Sequence, residues 1–227
     1  MTKLMIFLAR PATIAVPAFQ AAIENGIAAI AASFSHICYA LVDDMVAPAQ
    51  PLAITSSSHP KDAVVSLYAE GEVNLSTIAD TFVPIASVVQ AYWVDERRPL
   101  SCQSPVGRTN GMCQIALFKK PANLTRNQWL EIWLGSHTQI AIDTQSTFSY
   151  RQNIVESAAW SEEYPVYDAI VEEQFPFAAM TDRSVFFDAP GDEARYKANE
   201  KAMVDSVTRF IDFTAFECVP MSEYRIK

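Results

Sequence analysis

The chain has 227 residues, half of them apolar and 19% charged, so it is long enough to bury one large core or two smaller ones. Its formal net charge is -9, and no run of Lys or Arg supplies the clustered positive charge that nucleic acid or an anionic membrane requires. The composition therefore argues against both of these partners.

The first half alternates strand and helix patterns in the order βαββαβ. Period-two and helical apolar patterns predict strands at 3–8, 36–42, 63–68 and 88–94, with helices at 17–33 and 75–86. A stretch rich in Pro and Ser, 46–61, is predicted to be a loop. The apolar run at 4–9 is too short for a secretory signal, so we expect a strand there and a cytoplasmic protein.

The second half repeats this order after a polar segment, 97–110, that is typical of a linker. Strands are predicted at 112–118, 147–155, 169–175 and 214–219. A helix capped by Thr125 is predicted to end near Asp143, and a second helix covers 192–210.

An internal repeat supports this division. At a spacing of 110 residues, the tripeptide starting at Arg10 lies over the one starting at Lys120, and at a spacing of 106 the segment starting at Asp62 lies over the one starting at Asp168. The sequence thus predicts an α+β fold of two ferredoxin-like βαββαβ units, 1–96 and 111–227, joined by 97–110. We expect their sheets to pack face to face as a dimeric α/β-barrel-like pseudo-dimer, since each sheet has a second apolar face.

The main chemical candidate is His137, one helical turn beyond Trp133. Its counterpart in the first half is Ile27, which indicates that only one unit kept a site. Histidine titrates near neutral pH and suits proton transfer. The alternative is a structural histidine that is hydrogen-bonded at the edge of the core.

Polar residues also mark the strand that follows His137. Alternation places Tyr150 and Gln152 on one face, with Arg151 and Asn153 on the other. These residues require partners or a ligand if the strand is buried. In the first half, the positions that correspond to Tyr150 and Gln152 are predicted to hold the apolar residues Ala40 and Val42. The second unit is therefore predicted to hold the only polar pocket.

The next strand carries two adjacent carboxylates. Glu172 shares a face with Asp168 and Ile170, while Glu173 points the other way. A carboxylate inside a barrel would have a raised pKa and would suit substrate binding or base chemistry. The alternative is a carboxylate at a solvated strand end, or one paired with an arginine.

The second half, about 111–227, resembles the EthD family of the dimeric α/β-barrel superfamily. The resemblance rests on Trp133 and His137 in a helix, followed by Tyr150 and Gln152 in a strand, and on the segments starting at Tyr167 and Arg209. It implies two ferredoxin-like sheets around one barrel interior, here supplied by a single chain. It also implies a relationship to small cofactor-free enzymes and to haem-binding proteins.

From these features we predict a cofactor-independent enzyme that moves a proton on a small apolar substrate, as an isomerase, cyclase or lyase does. His137 and Tyr150 are the predicted catalytic residues, and Gln152, Trp133 and Glu172 the predicted substrate-binding ones. The alternatives are a non-catalytic protein that binds a small ligand, and a haem protein with His137 as axial ligand. No metal, cofactor, nucleic-acid or membrane partner is expected, and a homodimer is compatible with the sequence. Six scattered glycines form no phosphate loop, and four cysteines form no CxxC pair.

Overall fold

The computed structural model describes residues 2–102, 105–160 and 167–227. Each predicted strand and helix overlaps an element of the structure. The strands are β1 (Thr2–Ala9), β2 (His36–Leu41), β3 (Ala63–Ala69), β4 (Val88–Leu100), β5 (Gly107–Arg108), β6 (Met112–Lys119), β7 (Ser149–Trp160), β8 (Ala169–Phe175) and β9 (Asp212–Arg225). The α-helices are α1 (Val16–Ile30), α2 (Leu75–Phe82), α3 (Arg126–Leu130), α4 (Thr138–Thr144), α5 (Arg183–Phe186) and α6 (Glu193–Val207).

The remaining helical turns are shorter or tighter. Between α3 and α4 the helix continues as a π-helical segment, Glu131–His137. The 3-10 segments are Ala31–Ser33, Asp44–Leu52, Val83–Ile85 and Phe177–Met180. No helix in the described ranges combines the length and the apolar character that a membrane span requires.

The strands form one antiparallel barrel. Eight of them follow the order β2-β3-β1-β4-β7-β8-β6-β9, and β9 pairs with β2 to close the ring. The inner faces of the two halves do face each other, as predicted, but their edges are also hydrogen-bonded, at β4–β7 and at β2–β9. Closure satisfies backbone groups that two separately packed sheets would leave unpaired at their edges.

The two halves share a strand order and a set of hydrogen bonds. The order is β2-β3-β1-β4 in the first half and β7-β8-β6-β9 in the second. The backbone N–H of Arg10 donates to Asp62 at 2.8 Å, and the backbone N–H of Lys120 donates to Asp168 at 2.9 Å. Both aspartates therefore fix the exit of a first strand, at the positions that the internal repeat aligns.

The predicted linker, 97–110, is partly strand. Its first residues complete β4, which pairs with β7 as far as Leu100, and Gly107–Arg108 forms the added strand β5 on β9. The pairing of β4 with β1 stops at Val94, but its pairing with the long β7 continues as far as Leu100. The chain therefore stays extended through the first part of the predicted linker. Residues 103 and 104 lie outside the described residues.

Alternation along each strand separates the interior of the barrel from the helix-covered exterior. One apolar cluster fills the middle of the interior, and two others lie beneath the helices of the two halves. The clusters beneath the helices include Phe19, Ile23, Ile27 and Phe82 in the first half, and Phe118, Trp129, Trp133 and Phe210 in the second.

A segment of the first half covers part of the second. The 3-10 segment Asp44–Leu52 buries Val46 and Ala49 in an apolar cluster with residues of β6 and β8. Just after it, Ile54 and Cys218 exchange two backbone hydrogen bonds of 2.8 Å each. The long connection between β2 and β3, predicted only as a loop, thus forms part of the wall around the second half's sheet.

Candidate functional site

A cavity of about 170 Å³ lies between the second half's sheet and its helices, and we call it the helix-side cavity. An adjoining cavity of about 210 Å³ shares Leu52, Ile54 and Gln114 with it. Three of the five predicted site residues line the helix-side cavity: Trp133, His137 and Tyr150. Most of the remaining wall is apolar, which suits a small organic ligand.

The π-helical segment positions two of these side chains. Thr125 starts the helix with a capping box, and the wider turn of Glu131–His137 leaves both Trp133 and His137 buried. The hydroxyl of Thr138 donates to the carbonyl oxygens of Trp133, at 3.1 Å, and Leu134, at 3.0 Å. These bonds satisfy carbonyls at the point where the regular helical pattern changes.

His137 is buried, and its ring is hydrogen-bonded to Ser206. Its Nδ1 lies 2.9 Å from Ser206 Oγ, which also accepts a hydrogen bond of 2.8 Å from the Arg209 guanidinium. A guanidinium only donates, so the Ser206 hydroxyl can donate its own proton to Nδ1, an arrangement that places the imidazole proton on Nε2. Burial, with a smaller effect of Arg209, lowers the pKa of His137 to about 4. The ring is therefore neutral at pH 7.

Tyr150 is oriented by Gln152, whose Nε2 donates to the tyrosine hydroxyl at 3.1 Å and to Thr138 Oγ1 at 3.0 Å. The Thr138 hydroxyl already donates to backbone carbonyls, so it must accept from Gln152, which identifies the amide nitrogen. The indole N–H of Trp133 also lies close to the Tyr150 hydroxyl, although outside normal hydrogen-bond geometry. Both neighbours are donors, which leaves the tyrosine's own proton for an acceptor in the cavity.

Glu173 also lines this cavity, although the sequence did not predict it as a site residue. It is 8% exposed, and no hydrogen bond or ion pair reaches its carboxyl group within the described ranges. Burial raises its pKa to about 8. Its Oε1 is one of three buried polar atoms at this cavity that lack a partner in the described part of the chain, the others being Trp133 Nε1 and Gln145 Oε1. Unsatisfied groups of this kind call for a ligand or water.

The structure does not bring Glu172 to the helix-side cavity. Its side chain points into the barrel, where it pairs with Lys3 and lies 3.4 Å from Arg151. Burial alone would raise the pKa of Glu172, but Arg151 and Lys3 outweigh burial and lower it. The alternative reading, a carboxylate paired with an arginine, describes Glu172, and the raised pKa belongs to its neighbour Glu173.

Strand pairing corrects the counterparts assigned in the first half. Gln152 lies opposite Val171 in the same way that Tyr39 lies opposite Val65, so Tyr39 corresponds to Gln152, and Ile37 to Tyr150. The residues Ala40 and Val42, predicted for these places, pack in the barrel interior instead. The internal repeat aligned the first helices and the third strands of the two halves, but it did not determine which residues of β2 and β7 correspond.

The prediction of a single polar pocket is wrong. A second cavity of about 300 Å³ lies at one end of the barrel and is lined mainly by polar residues of both halves. The arginines of this cavity come from strand ends that are far apart in sequence, so no local sequence pattern could predict the cavity.

Metal and haem fit this chain poorly at the sites described. No group of three or more His, Cys, Asp and Glu residues in the described ranges is arranged to hold a metal ion. The helix-side cavity matches a site for a single aromatic ring in size, and a haem macrocycle is several times larger. A haem bound at His137 would require the helices to separate from the sheet.

Comparisons with known proteins identify a fold. No family model and no curated protein matches the chain. An anthrone oxidase-like protein matches all of this chain and 91% of its own at 12% identity, with a TM-score of 0.54.

Two further structures are less similar. A protein of Lactobacillus acidophilus, provisionally assigned as a monooxygenase, has a TM-score of 0.45 at 10% identity, over 99% of this chain and 93% of its own. A mutant chlorite dismutase from Candidatus Nitrospira defluvii has a TM-score of 0.48 at 9% identity, over 98% and 90%. At such identities the likeness is one of fold alone, and it is carried by the anthrone oxidase-like protein, whose fold this chain shares.

Proposed function

We propose that this protein binds a small, largely apolar carbonyl compound in the helix-side cavity and moves a proton on it without a cofactor. The observation that carries the proposal is Glu173, a buried carboxyl group with a raised pKa and no partner in the described ranges. It shares the cavity with two oriented hydrogen-bond donors, Tyr150 and His137. Enolisation requires a base that removes a proton from carbon and hydrogen-bond donors that stabilise the negative charge on the carbonyl oxygen, and this arrangement could provide both.

In the proposed reaction, the Glu173 carboxylate accepts a proton from a carbon next to the substrate carbonyl. The electron pair of that C–H bond forms a C=C bond to the carbonyl carbon, and the π electrons of the carbonyl move onto its oxygen, which gives an enolate. The Tyr150 hydroxyl and the His137 Nε2–H donate to this oxygen. In a substrate with a C=C bond between its β and γ carbons, the enolate extends over that bond as a dienolate. Glu173 then returns its proton to the γ carbon, the C=C bond moves into conjugation with the re-formed carbonyl, and the enzyme is regenerated, so that the net result is an isomerisation.

This assignment changes the role that the sequence suggested for His137. A ring with a pKa of about 4 is a weak base at neutral pH, so it is better suited to donate from Nε2 than to accept a proton. Glu173, with a pKa of about 8, is ionised in about one molecule in ten at pH 7 and is a much stronger base when ionised. In this proposal Gln152 orients the Tyr150 hydroxyl, and Trp133 forms part of the wall of the helix-side cavity.

The size of the site limits the substrate. A cavity of about 170 Å³ is close to one that holds a single benzene ring, and the adjoining cavity of about 210 Å³ offers similar room. Together they suit a molecule of one or two rings.

We also infer that the chain arose by tandem duplication of a ferredoxin-like unit of the EthD type. The equal strand orders and the matching bonds of Asp62 and Asp168 support two units, 1–96 and 111–227. In the first unit the positions of His137, Tyr150 and Glu173 are occupied by apolar residues: Ile27, Ile37 and Leu67. The second unit would then hold the one helix-side site that carries chemistry.

A bicyclic ketone, 2-tetralone, provides a direct test of proton transfer. In D₂O, we expect the protein to accelerate deuterium incorporation next to the carbonyl, measured by proton NMR. The Glu173→Gln variant should lose about a hundredfold or more of this acceleration, the usual scale for a positioned base. The exposed Glu193→Gln variant is the matched control and should keep the wild-type rate.

The outcomes separate the candidate functions. Exchange at equal rates in the wild type and Glu173→Gln would contradict the proposed base. Binding of 2-tetralone without any exchange, seen by calorimetry, would instead support the alternative of a non-catalytic ligand-binding protein.

Two substitutions at His137 distinguish its two ring nitrogens. In His137→Asn the amide oxygen can accept from Ser206 as Nδ1 does, but nothing replaces Nε2. In His137→Gln the amide reaches the place of Nε2. We expect Asn to lower the exchange rate by at least about tenfold, as loss of an oxyanion donor does, and Gln to lower it less. Equal losses that follow equal drops in melting temperature would mark His137 as a structural residue.

A further inference from the structure

The cavity of about 300 Å³ at one end of the barrel, here called the barrel-end cavity, is not used by the proposed reaction. Arginines from three strand ends line it: Arg98 of β4, Arg151 of β7 and Arg225 of β9. His36, Ser149 and Glu223 are also part of its lining. Both halves of the chain contribute, and the cavity opens to solvent.

The lining is unbalanced in charge, with three guanidinium groups and one carboxylate. Glu223 is already paired with Arg151 and accepts a hydrogen bond of 3.3 Å from Thr109. Deeper in the barrel, Glu96 pairs with both Arg98 and Lys3, and Glu172 pairs with Lys3 and lies near Arg151.

The bonding of Arg151 leaves donor capacity unused. Both of its ion pairs, with Glu172 and with Glu223, run through the same nitrogen, Nη2. Its Nε is buried and has no acceptor in the described part of the chain. A guanidinium carries five N–H donors in a planar fork, a geometry that matches the oxygens of carboxylate and phosphate.

The positive field of this cavity also acts on a neighbouring ring. Burial lowers the pKa of His36, and the charges of Arg225 and Arg98 lower it further. These effects favour the neutral form of the His36 ring, which can take part in hydrogen bonds without adding a charge.

We propose that the barrel-end cavity binds the phosphate or carboxylate group of a small molecule, held by Arg98, Arg151 and Arg225. The site is independent of the proposed reaction, since it lies inside the ring of strands and the helix-side cavity lies outside it. The chain as a whole carries a net charge of -9, so most of its surface repels a small anion. The arginine cluster of the barrel-end cavity is a local exception that attracts one. The cavity volume leaves room for an organic part beside the anionic group.

Isothermal titration calorimetry at low ionic strength tests the proposal with two probes, inorganic phosphate and succinate. We expect the wild type to bind at least one of them, and the probe that binds identifies the favoured chemistry. The double variant Arg98→Gln/Arg225→Gln should bind at least tenfold more weakly, the scale of losing charge-assisted hydrogen bonds. Arg151 is left intact because its ion pairs support the barrel.

The matched control is Arg126→Gln, which removes the same charge from an exposed arginine paired with Glu156 at 3.1 Å. It should bind as the wild type does. If the double variant does not fold, Arg225→Gln alone provides the same comparison. The proposal is overturned if neither anion binds the wild type, or if Arg126→Gln weakens binding as much as the change at the cavity.

Discussion

Replacement of Lys3 by methionine is expected to lower the free energy of unfolding by about 3 to 5 kcal/mol, because it leaves two buried carboxylates without their shared cation. Lys3 Nζ donates to Glu96 at 2.7 Å, to Asn153 at 2.9 Å and to Glu172. Burial opposes the charge on Lys3, but Glu172, Tyr68 and Glu96 outweigh burial and raise its pKa. Urea denaturation at neutral pH measures the loss.

The matched control is Lys201→Met, which removes an exposed lysine paired with Asp205 across one helical turn. A change of at most about 0.5 kcal/mol is expected there. The double variant Lys3→Met/Glu172→Gln should recover part of the loss, since it removes one of the two buried carboxylates that lost the lysine. If Lys3→Met unfolds at the same urea concentration as Lys201→Met, the ion pairs do not stabilise the barrel as we describe.

Replacement of Glu173 by glutamine should make the protein more stable than the wild type at alkaline pH. The carboxyl group has a pKa of about 8 when folded, against 4.5 when exposed. Between these values the folded chain binds the extra proton, so the contribution of Glu173 to stability is complete below pH 4.5 and is lost as the pH rises through 8. The total loss is up to about 5 kcal/mol, or about 1.4 kcal/mol per pH unit, and glutamine abolishes it.

Urea denaturation of both proteins at several values between pH 5 and pH 9 measures this effect. Groups common to both proteins, such as His137, cancel in the difference. Glu193→Gln, at an exposed position, should follow the wild type throughout. A constant difference between the wild type and Glu173→Gln over this range would mean that the carboxyl group is solvated or paired, and it would remove the basis for its role as a base.

The order of strands and helices could be predicted because it depends on local patterns. Alternation along β7 placed Tyr150 and Gln152 on one face and Arg151 on the other, as found. The closure of the barrel could not be predicted, since it depends on pairing between β2 and β9, at nearly opposite ends of the chain.

The candidate site was predicted in part for a similar reason. Helical spacing predicts that Trp133 and His137 share a face, whether the turn between them is α or π. Alternation separates Glu172 from Glu173 but does not say which face is lined with cations. That depends on Lys3, which is 169 residues from Glu172 in sequence. The carboxylate with the raised pKa was therefore assigned to the wrong side of the sheet.

The segment Asp44–Leu52 and the adjoining Ile54 give the first half a direct effect on the second half's cavity. Leu52 and Ile54 belong to the wall, whereas the groups proposed to move or stabilise charge belong to the other half. Part of the wall that would set the size selectivity of the proposed site is thus encoded apart from the residues proposed to react. Substitutions at Leu52 or Ile54 can change which molecules enter while His137, Tyr150 and Glu173 stay untouched, so the substrate range can evolve without rebuilding the chemistry.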